Sequence, residues 1–283
     1  MRLIDEISFF LESKGFGCSL FMLDGYEVIG TGPSEDGCGK TIFPIEISAS
    51  TPHEAEIAGE AAFRCVNSIS SHEGYPLIIT EDRWRLQKDM IQSRLLAHLE
   101  TFTSSYARNC EVRRIEKCEA QTFLKAHHSY GYAACRHHYG LFQKRHTGHT
   151  RNDIAPGTLI ATATFSNARK WQKGEQTIRS YEWTRYASLP NMRISGGMGK
   201  LLKAFIEDVR PDDIMSYADL EWSEGNVYRE LGFRCEGRKE PVLFRLDPDT
   251  WERLPVKAGM TEGNLYFRNF GSNKYRLKLT DYE

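Results

Sequence analysis

The sequence predicts an α/β protein of two domains, and three observations carry that expectation. Apolar runs of strand period alternate with runs of helical period along all 283 residues. Hydrophobic residues make up 40% and charged residues 27%, enough apolar material for a packed core and too little net charge for wholesale disorder. The charge is also divided: residues 1–95 carry 8 Lys+Arg against 15 Asp+Glu, whereas residues 96–283 carry a net of +6. That division, together with the polar pair Ser104-Ser105, places a boundary near residue 105, giving a small acidic α/β domain (1–105) and a second domain (106–283).

In the first domain Leu3, Ile4, Ile7, Phe10 and Leu11 recur at helical spacing. SLFMLDGYEVIG sets Asp24-Gly25 between two apolar runs, a hairpin signal. In TPHEAEIAGEAAFRCV, Thr51 serves as cap, Pro52 opens the helix and Glu54 completes a capping box. LIIT (77–80) reads as a buried strand, and RWRLQKDMIQSRLLAHLETF as one helix with Leu86, Met90, Ile91, Leu95 and Leu99 on one face. Gly39-Lys40-Thr41 imitates the end of a phosphate-binding loop, but Ser34 stands where that loop needs glycine and a strand follows. It reads as a surface loop.

The second domain runs strand (CEVRRI), helix (EAQTFLKAHH), strand (YGLFQ), a polar loop, and strands TLIATATF and IRSYEWTRYASL. A glycine-rich turn then leads into the helix LLKAFIEDV, followed by strand DIMSYADL, a short helix NVYREL and strand PVLFRLD. NLYFRNF and NKYRLKL suggest a closing hairpin around Gly271-Ser272.

Several function classes fall away. No apolar run reaches the roughly 18 residues of a membrane-spanning helix, and Asp5 and Glu6 interrupt any signal-like start. Seven cysteines without a C-x-x-C pair point to reduced thiols and a cytoplasmic location, with no membrane partner. Cys110, Cys118, His127, His128, Cys135, His137 and His138 are metal-ligand types without zinc-site spacing, so no metal is expected. Residues 120–203 hold 13 Lys+Arg and only Asp153, Glu175 and Glu182 as acids, a field suited to a polyanion. The acid-free stretch 120–152, with Lys125, Arg136, Lys144, Arg145 and Arg151, is where a nucleic acid would lie. A solvated basic face beside a cofactor pocket is the other reading.

RISGGMGK (193–200) joins a strand to an amphipathic helix. Glycines there let backbone N–H groups at a helix start approach an anion, with Lys200 and Lys203 beside it, although glycines also serve plain connections. Downstream stands Asn226-Val227-Tyr228-Arg229-Glu230-Leu231-Gly232-Phe233. An R-x-x-G turn followed by this Y-x-x-x-G-F ending resembles the GNAT superfamily of N-acetyltransferases over about residues 106–247.

The resemblance implies a mixed, splayed central sheet flanked by helices, and acetyl-CoA or a related acyl-CoA as cofactor. Its pyrophosphate would be held by Arg193, Ile194, Ser195, Gly196, Gly197, Met198, Gly199 and Lys200, with Asn226 beside it. Met198 stands where the second signature glycine is expected, and Gly199 follows one residue late. Tyr228 matches the tyrosine that protonates the departing thiolate. Glu182, eleven residues before Arg193, is similar in spacing to a general-base glutamate; the alternatives are a core aromatic and a surface carboxylate paired with Arg179 or Arg185.

The acceptor would be an amine of a small molecule or a protein, with the oligomeric state open. FLKAHHSYGY, ATATFS and SYADLEWSEGNVYRELGF are also similar to acetyltransferase-like modules of phage and mobile-element proteins, and the SYAD block resembles Mom-type proteins that modify adenine in DNA. A non-catalytic nucleic-acid-binding module and a nucleobase modifier are therefore the rival expectations.

Overall fold

A computed structural model of the chain describes residues 1–32, 39–146, 153–256 and 265–282. In chain order the first elements are α1 (Leu3–Ser13), β1 (Cys18–Leu23), β2 (Tyr26–Thr31), β3 (Thr41–Ile45), α2 (Pro52–Glu73), β4 (Leu77–Thr80), α3 (Glu81–Leu86) and α4 (Lys88–His98). Then come β5 (Thr103–Tyr106), β6 (Cys110–Arg114), α5 (Lys117–His127), β7 (His137–Gln143), β8 (Leu159–Phe165), β9 (Arg169–Lys173), β10 (Gln176–Ser188) and β11 (Met192–Ser195). The chain continues with α6 (Gly197–Val209), β12 (Asp213–Asp219), α7 (Asn226–Glu230), β13 (Arg234–Lys239), β14 (Leu243–Leu246), β15 (Arg253–Pro255), β16 (Leu265–Arg268) and β17 (Ser272–Lys278).

The chain divides into two compact units, but not at residue 105. The first takes residues 1–99, 218–224 and 238–273; the second takes 100–217, 225–237 and 274–283. The physical reason lies in pairings that no local pattern announces. Residues 103–106 form β5, which pairs in parallel with β11 of the second unit. In the first unit, Arg253 bonds Asp82 at 2.6 Å and Glu221 at 2.9 Å, while Arg83 bonds Asp219 at 2.9 Å and Glu221 at 3.2 Å. Asp82, Arg83 and Glu221 are buried and Arg253 is only 10% exposed, so these charges need their partners in place, and that ties 218–224 and the 238–273 stretch to α3.

The first unit is built on a sheet of order β1-β2-β3-β4, antiparallel except for the parallel β3–β4 pair. Asp24 (φ 46°) and Gly25 (φ 83°) make the expected two-residue turn between β1 and β2. Both faces of the sheet are covered, which is why its inner strands are apolar on consecutive residues. Ile29, Ile42, Leu77 and Ile79 pack with Ile4, Ile7 and Leu11 of α1 and Trp84. Val28, Phe43 and Ile78 pack with Ala62, Val66 and Ile69 of α2, joined by Leu220, Leu246, Phe267 and Phe270.

The cap of α2 is as expected, with Thr51 Oγ1 accepting from the Glu54 amide at 3.2 Å. The Glu54 carboxylate reaches back to the Ser50 amide at 2.8 Å. The single helix expected over 83–102 is instead two, broken at Gln87 (φ −131°, ψ 39°). Arg83 and Asp82 anchor α3 through its buried charges, and Leu86, placed on the apolar face by periodicity, is 47% exposed.

The second unit centres on an eight-stranded sheet of order β13-β17-β12-β10-β8-β7-β6, with β9 as a hairpin partner of β10. Strands β6, β7, β8 and β10 are antiparallel, and β10 pairs in parallel with β12, so the sheet is mixed. Helix α5 packs Phe123 and Leu124 against Ala187 of β10. Helix α6 brings Phe205 into a stack with Phe165, centroids 3.8 Å apart, edge-on to Tyr139, Tyr181 and His137. The expected tail hairpin does not form: β16 pairs with β14, and β17 joins the large sheet. Gly271 (φ 73°) redirects the chain between them, and a Cβ there would lie 2.3 Å from the Lys239 carbonyl oxygen.

Candidate active site

Strands β10 and β12 pair over three residues only: Ser180 with Asp213, Tyr181 with Ile214, Glu182 with Met215. Beyond Glu182 and Met215 the two strands continue without partnering each other, so the sheet opens at this point, as a splayed sheet requires. Helix α7 places Tyr228 beside the opening. Ser216 of β12, one residue past the last pair and 1% exposed, donates from Oγ to the Tyr228 hydroxyl at 2.9 Å. The same Oγ lies 2.9 Å from the Trp183 carbonyl of β10, one residue past the pair on the other strand. A serine has one proton for these two acceptors. When it goes to Tyr228, the phenol's own proton is free to be given elsewhere.

The Tyr228 ring stacks on Tyr275 (5.3 Å) and meets Phe233 and Trp183 edge-on. Burial pushes its pKa up, and the bond from Ser216 works in the opposite direction. The ring of Tyr228 thus packs among aromatic side chains while its hydroxyl meets Ser216.

The glycine turn lies at the start of α6. Gly196 caps the helix in the left-handed region (φ 74°) and offers no side chain to the first-turn amides. The first intrahelical bond runs from the Lys200 amide to the Gly196 carbonyl at 3.0 Å, which leaves the Gly197, Met198 and Gly199 amides ahead of it. Packing also accounts for the glycines. A Cβ on Gly197 would stand 2.8 Å from Ile194 Cγ2, and one on Gly199 3.3 Å from Leu231.

Lys200 is not beside the turn's outer face as expected. Its Nζ is tied to the carbonyls of Ala107 (2.8 Å) and Cys110 (2.6 Å), a strut for the β5–β6 connection. Lys203, paired with Glu207 at 3.7 Å, lies at a cavity of about 510 Å³ lined also by Gly199, Leu202 and Ile206 of α6, Glu230 and Leu231, and Leu277 of β17. Arg193 and Ser195 are exposed, with Arg193 over the Phe102 ring. Asn226 starts α7 and accepts from Arg229 at 2.8 Å.

Glu182 is half-buried on β10, its amide held by Ser166 Oγ at 2.9 Å. Neither arginine considered as its partner engages it. Arg179 turns to Asp212 and the Arg210 carbonyl, and Arg185 to the carbonyls of Gly131 (3.2 Å) and Thr184 (2.8 Å). Sequence reasoning did not single out Ser216 or Trp183, and considered Arg185 only as a partner for Glu182. A serine inside the apolar run DIMSYA was the available signal for the first.

The Cys/His residues serve separate ends. Cys110 is buried against Ser105 and Gln143, His138 bonds the Tyr132 hydroxyl, and His137 sits among aromatic rings. Among the described residues no group of three potential ligands gathers. In the first unit, a second cavity of about 270 Å³ is lined by Arg64, Arg238 and Arg268 with Glu60 and Glu240 interleaved, and Arg268 already bonds Glu56. Of the acid-free stretch 120–152, residues 147–152 lie outside the described part, as do Ser34 and Cys38.

No family model matches the chain, and no curated protein matches it. Solved structures that it is similar to include the NatC complex bound to Gag peptide and CoA, 14% identical with a TM-score of 0.36, covering 61% of this chain and 99% of that one. Arabidopsis thaliana NAA60 in complex with acetyl-CoA is 11% identical with a TM-score of 0.37, covering 60% and 99%. A GNAT-family acetyltransferase from Bacillus anthracis is 12% identical with a TM-score of 0.32, covering 60% and 95%. Structural agreement this low says nothing of what the chain does.

Proposed function

We propose that the chain is an acyl-CoA-dependent N-acyltransferase with acetyl-CoA as donor, as the GNAT resemblance of its sequence implies. The observation that supports it most is the Tyr228 hydroxyl held at the point where β10 and β12 part, with a buried serine bridging both strands to it. The residues suit the donor's chemistry. The uncapped amides of Gly197, Met198 and Gly199 with Lys203 would hold its phosphates, and the cavity beside Gly199 has room for part of so long a ligand.

When bound, acetyl-CoA supplies an acyl group on a thiol that departs readily. Glu182 takes a proton from the acceptor's ammonium, leaving the lone pair needed for attack. Tyr228 holds a proton at its hydroxyl for the departing sulfur. Ser216 then donates to the phenolate, stabilising the charge that the donation leaves.

Isothermal titration calorimetry with acetyl-CoA tests the reading. Micromolar to millimolar binding that weakens when Lys203 becomes Ala is expected. Absence of binding at millimolar acetyl-CoA sinks it. In the same titrations, a salt-sensitive affinity for duplex DNA through Lys144 and Arg145 would instead favour the nucleic-acid-binding module.

A further inference from the structure

Among the described residues no carboxylate lies within ion-pair distance of Arg185, and its place in the strand is unusual. Along β10, Trp183 pairs with Phe165 of β8, whereas the next paired residue, Arg185, meets Thr164; Thr184 is an extra residue, a bulge. Side chains of a regular strand alternate, so without the bulge Arg185 would share the face of Trp183. The bulge moves it to the opposite face, the one that carries Glu182. The re-aimed guanidinium sits under the connection between α5 and β7, beside the Tyr130 ring at 5.9 Å, with Nε and one terminal nitrogen spent on the Gly131 and Thr184 carbonyls.

Burial lowers the Arg185 pKa, and Cys135, Glu182, Tyr130 and Tyr228 work in the opposite direction. Arg83, Arg253 and Arg276, which brace the two units' ion clusters, each hold a carboxylate directly, whereas Arg94 of the first unit bonds the Ile78 and Trp222 carbonyls and lies over the Trp222 ring. Arg185 holds only neutral carbonyls. A partly desolvated cation without an anionic partner is costly, and a ligand that brings the anion removes the cost.

From this we infer that the acceptor is an amine that also carries an oxyanion, a carboxylate or a phosphate, with its amine at Glu182 and its anion at Arg185. Arg185 is then the specificity-determining residue of the acceptor site. Its planar fork offers the remaining N–H groups to two oxygens at once, a fit that lysine cannot copy. The inference rests on the acyltransferase reading.

The experiment measures acetyl transfer from acetyl-CoA to each common amino acid and to its own carboxamide, and to phosphoethanolamine against ethanolamine. It runs on the wild type and on R185M, R185Q and R185K. Acetyl-CoA binding by calorimetry is followed in parallel, along with binding of N-acetylated amino acids and their carboxamides. In the wild type, kcat/KM should favour the anionic member of at least one pair by about tenfold or more. R185M and R185Q should bring that ratio near unity through KM, and R185K should keep part of it. The amino-acid arm and the phosphoethanolamine arm tell the two anions apart.

A wild type with no preference in turnover or product binding overturns the inference, as does an R185M that folds, binds acetyl-CoA and keeps the wild-type ratio. If acetyl-CoA itself does not bind, the transferase reading fails first, and the inference fails with it.

Discussion

At Ser216 one hydroxyl proton faces two acceptors, the Tyr228 hydroxyl and the Trp183 carbonyl. Ser216→Ala removes the donor that opposes burial at the Tyr228 hydroxyl, so the phenol becomes a weaker acid. The expected outcome is roughly a tenfold fall in kcat, a shift of the alkaline limb of the kcat–pH profile to higher pH, and an unchanged affinity for acetyl-CoA. Ser216→Thr, which keeps the hydroxyl, should restore most of the rate. Glu182→Gln is a different test, because the base must be ionised to work: its loss should abolish the acidic limb of kcat/KM and cost on the order of 10²-fold in rate. An unaltered profile in both variants would remove these residues from the chemistry.

At the scale of elements, what the sequence made legible was local chemistry. The Thr51-to-Glu54 cap and the Asp24-Gly25 turn are decided by atoms a few residues apart, so the sequence displays them. Strand β9 was not visible, because its residues other than Trp171 are exposed and polar; nor was β13, exposed throughout. β16 and β17 each read correctly as strands and wrongly as partners, since their true partners are distant in sequence. The site divides in the same way. Tyr228 was singled out through the resemblance carried by its Y-x-x-x-G-F ending, whereas its bond to Ser216 exists only through the packing of α7 on β12.

The glycine turn was legible in position but not in cause, and it supports a prediction of its own. Gly197→Ala drives a methyl to within 2.8 Å of Ile194 and 3.4 Å of Leu141, and should cost about 1–3 kcal/mol by urea denaturation. Gly196→Ala meets Ala107 only at 3.4 Å, so its penalty should come from the left-handed backbone, about 1 kcal/mol. Equal stabilities for the two variants and the wild type would mean that the helix start is looser than its packing.

For the whole molecule, acid sensitivity follows from the histidines. Burial, the first cause at each, lowers the pKa of His127, His137 and His138; Arg114, Arg136 and His138 lower that of His137 further, and Asp208 opposes them. A histidine depressed in the folded state contributes stability above its unfolded pKa of about 6.5 and loses it as pH falls through the folded value. The urea midpoint should therefore drop between about pH 7 and pH 5, and His137→Phe should flatten the drop.

The division of the chain sets a second expectation. A fragment of residues 1–105 lacks Arg253, Glu221, Leu246, Phe267 and Phe270, so it should show no cooperative unfolding and weak near-ultraviolet circular dichroism. A well-dispersed NMR spectrum from that fragment would contradict the assignment of those segments to the first unit.

The same interleaving governs how the protein is made. A ribosome delivers the amino end first, and an ordinary leading domain uses that interval to fold alone. Here the leading unit must wait for Phe267 and Phe270, and the other for Tyr275 and Arg276, which hold Tyr228 and Asp213. The layer of the first unit that holds Phe43 and Ile78 cannot close until Phe270 has been made. Throughout that wait Phe43 and Ile78 stand without part of their cover, so termination anywhere before Phe270 yields a sticky chain rather than a functional half.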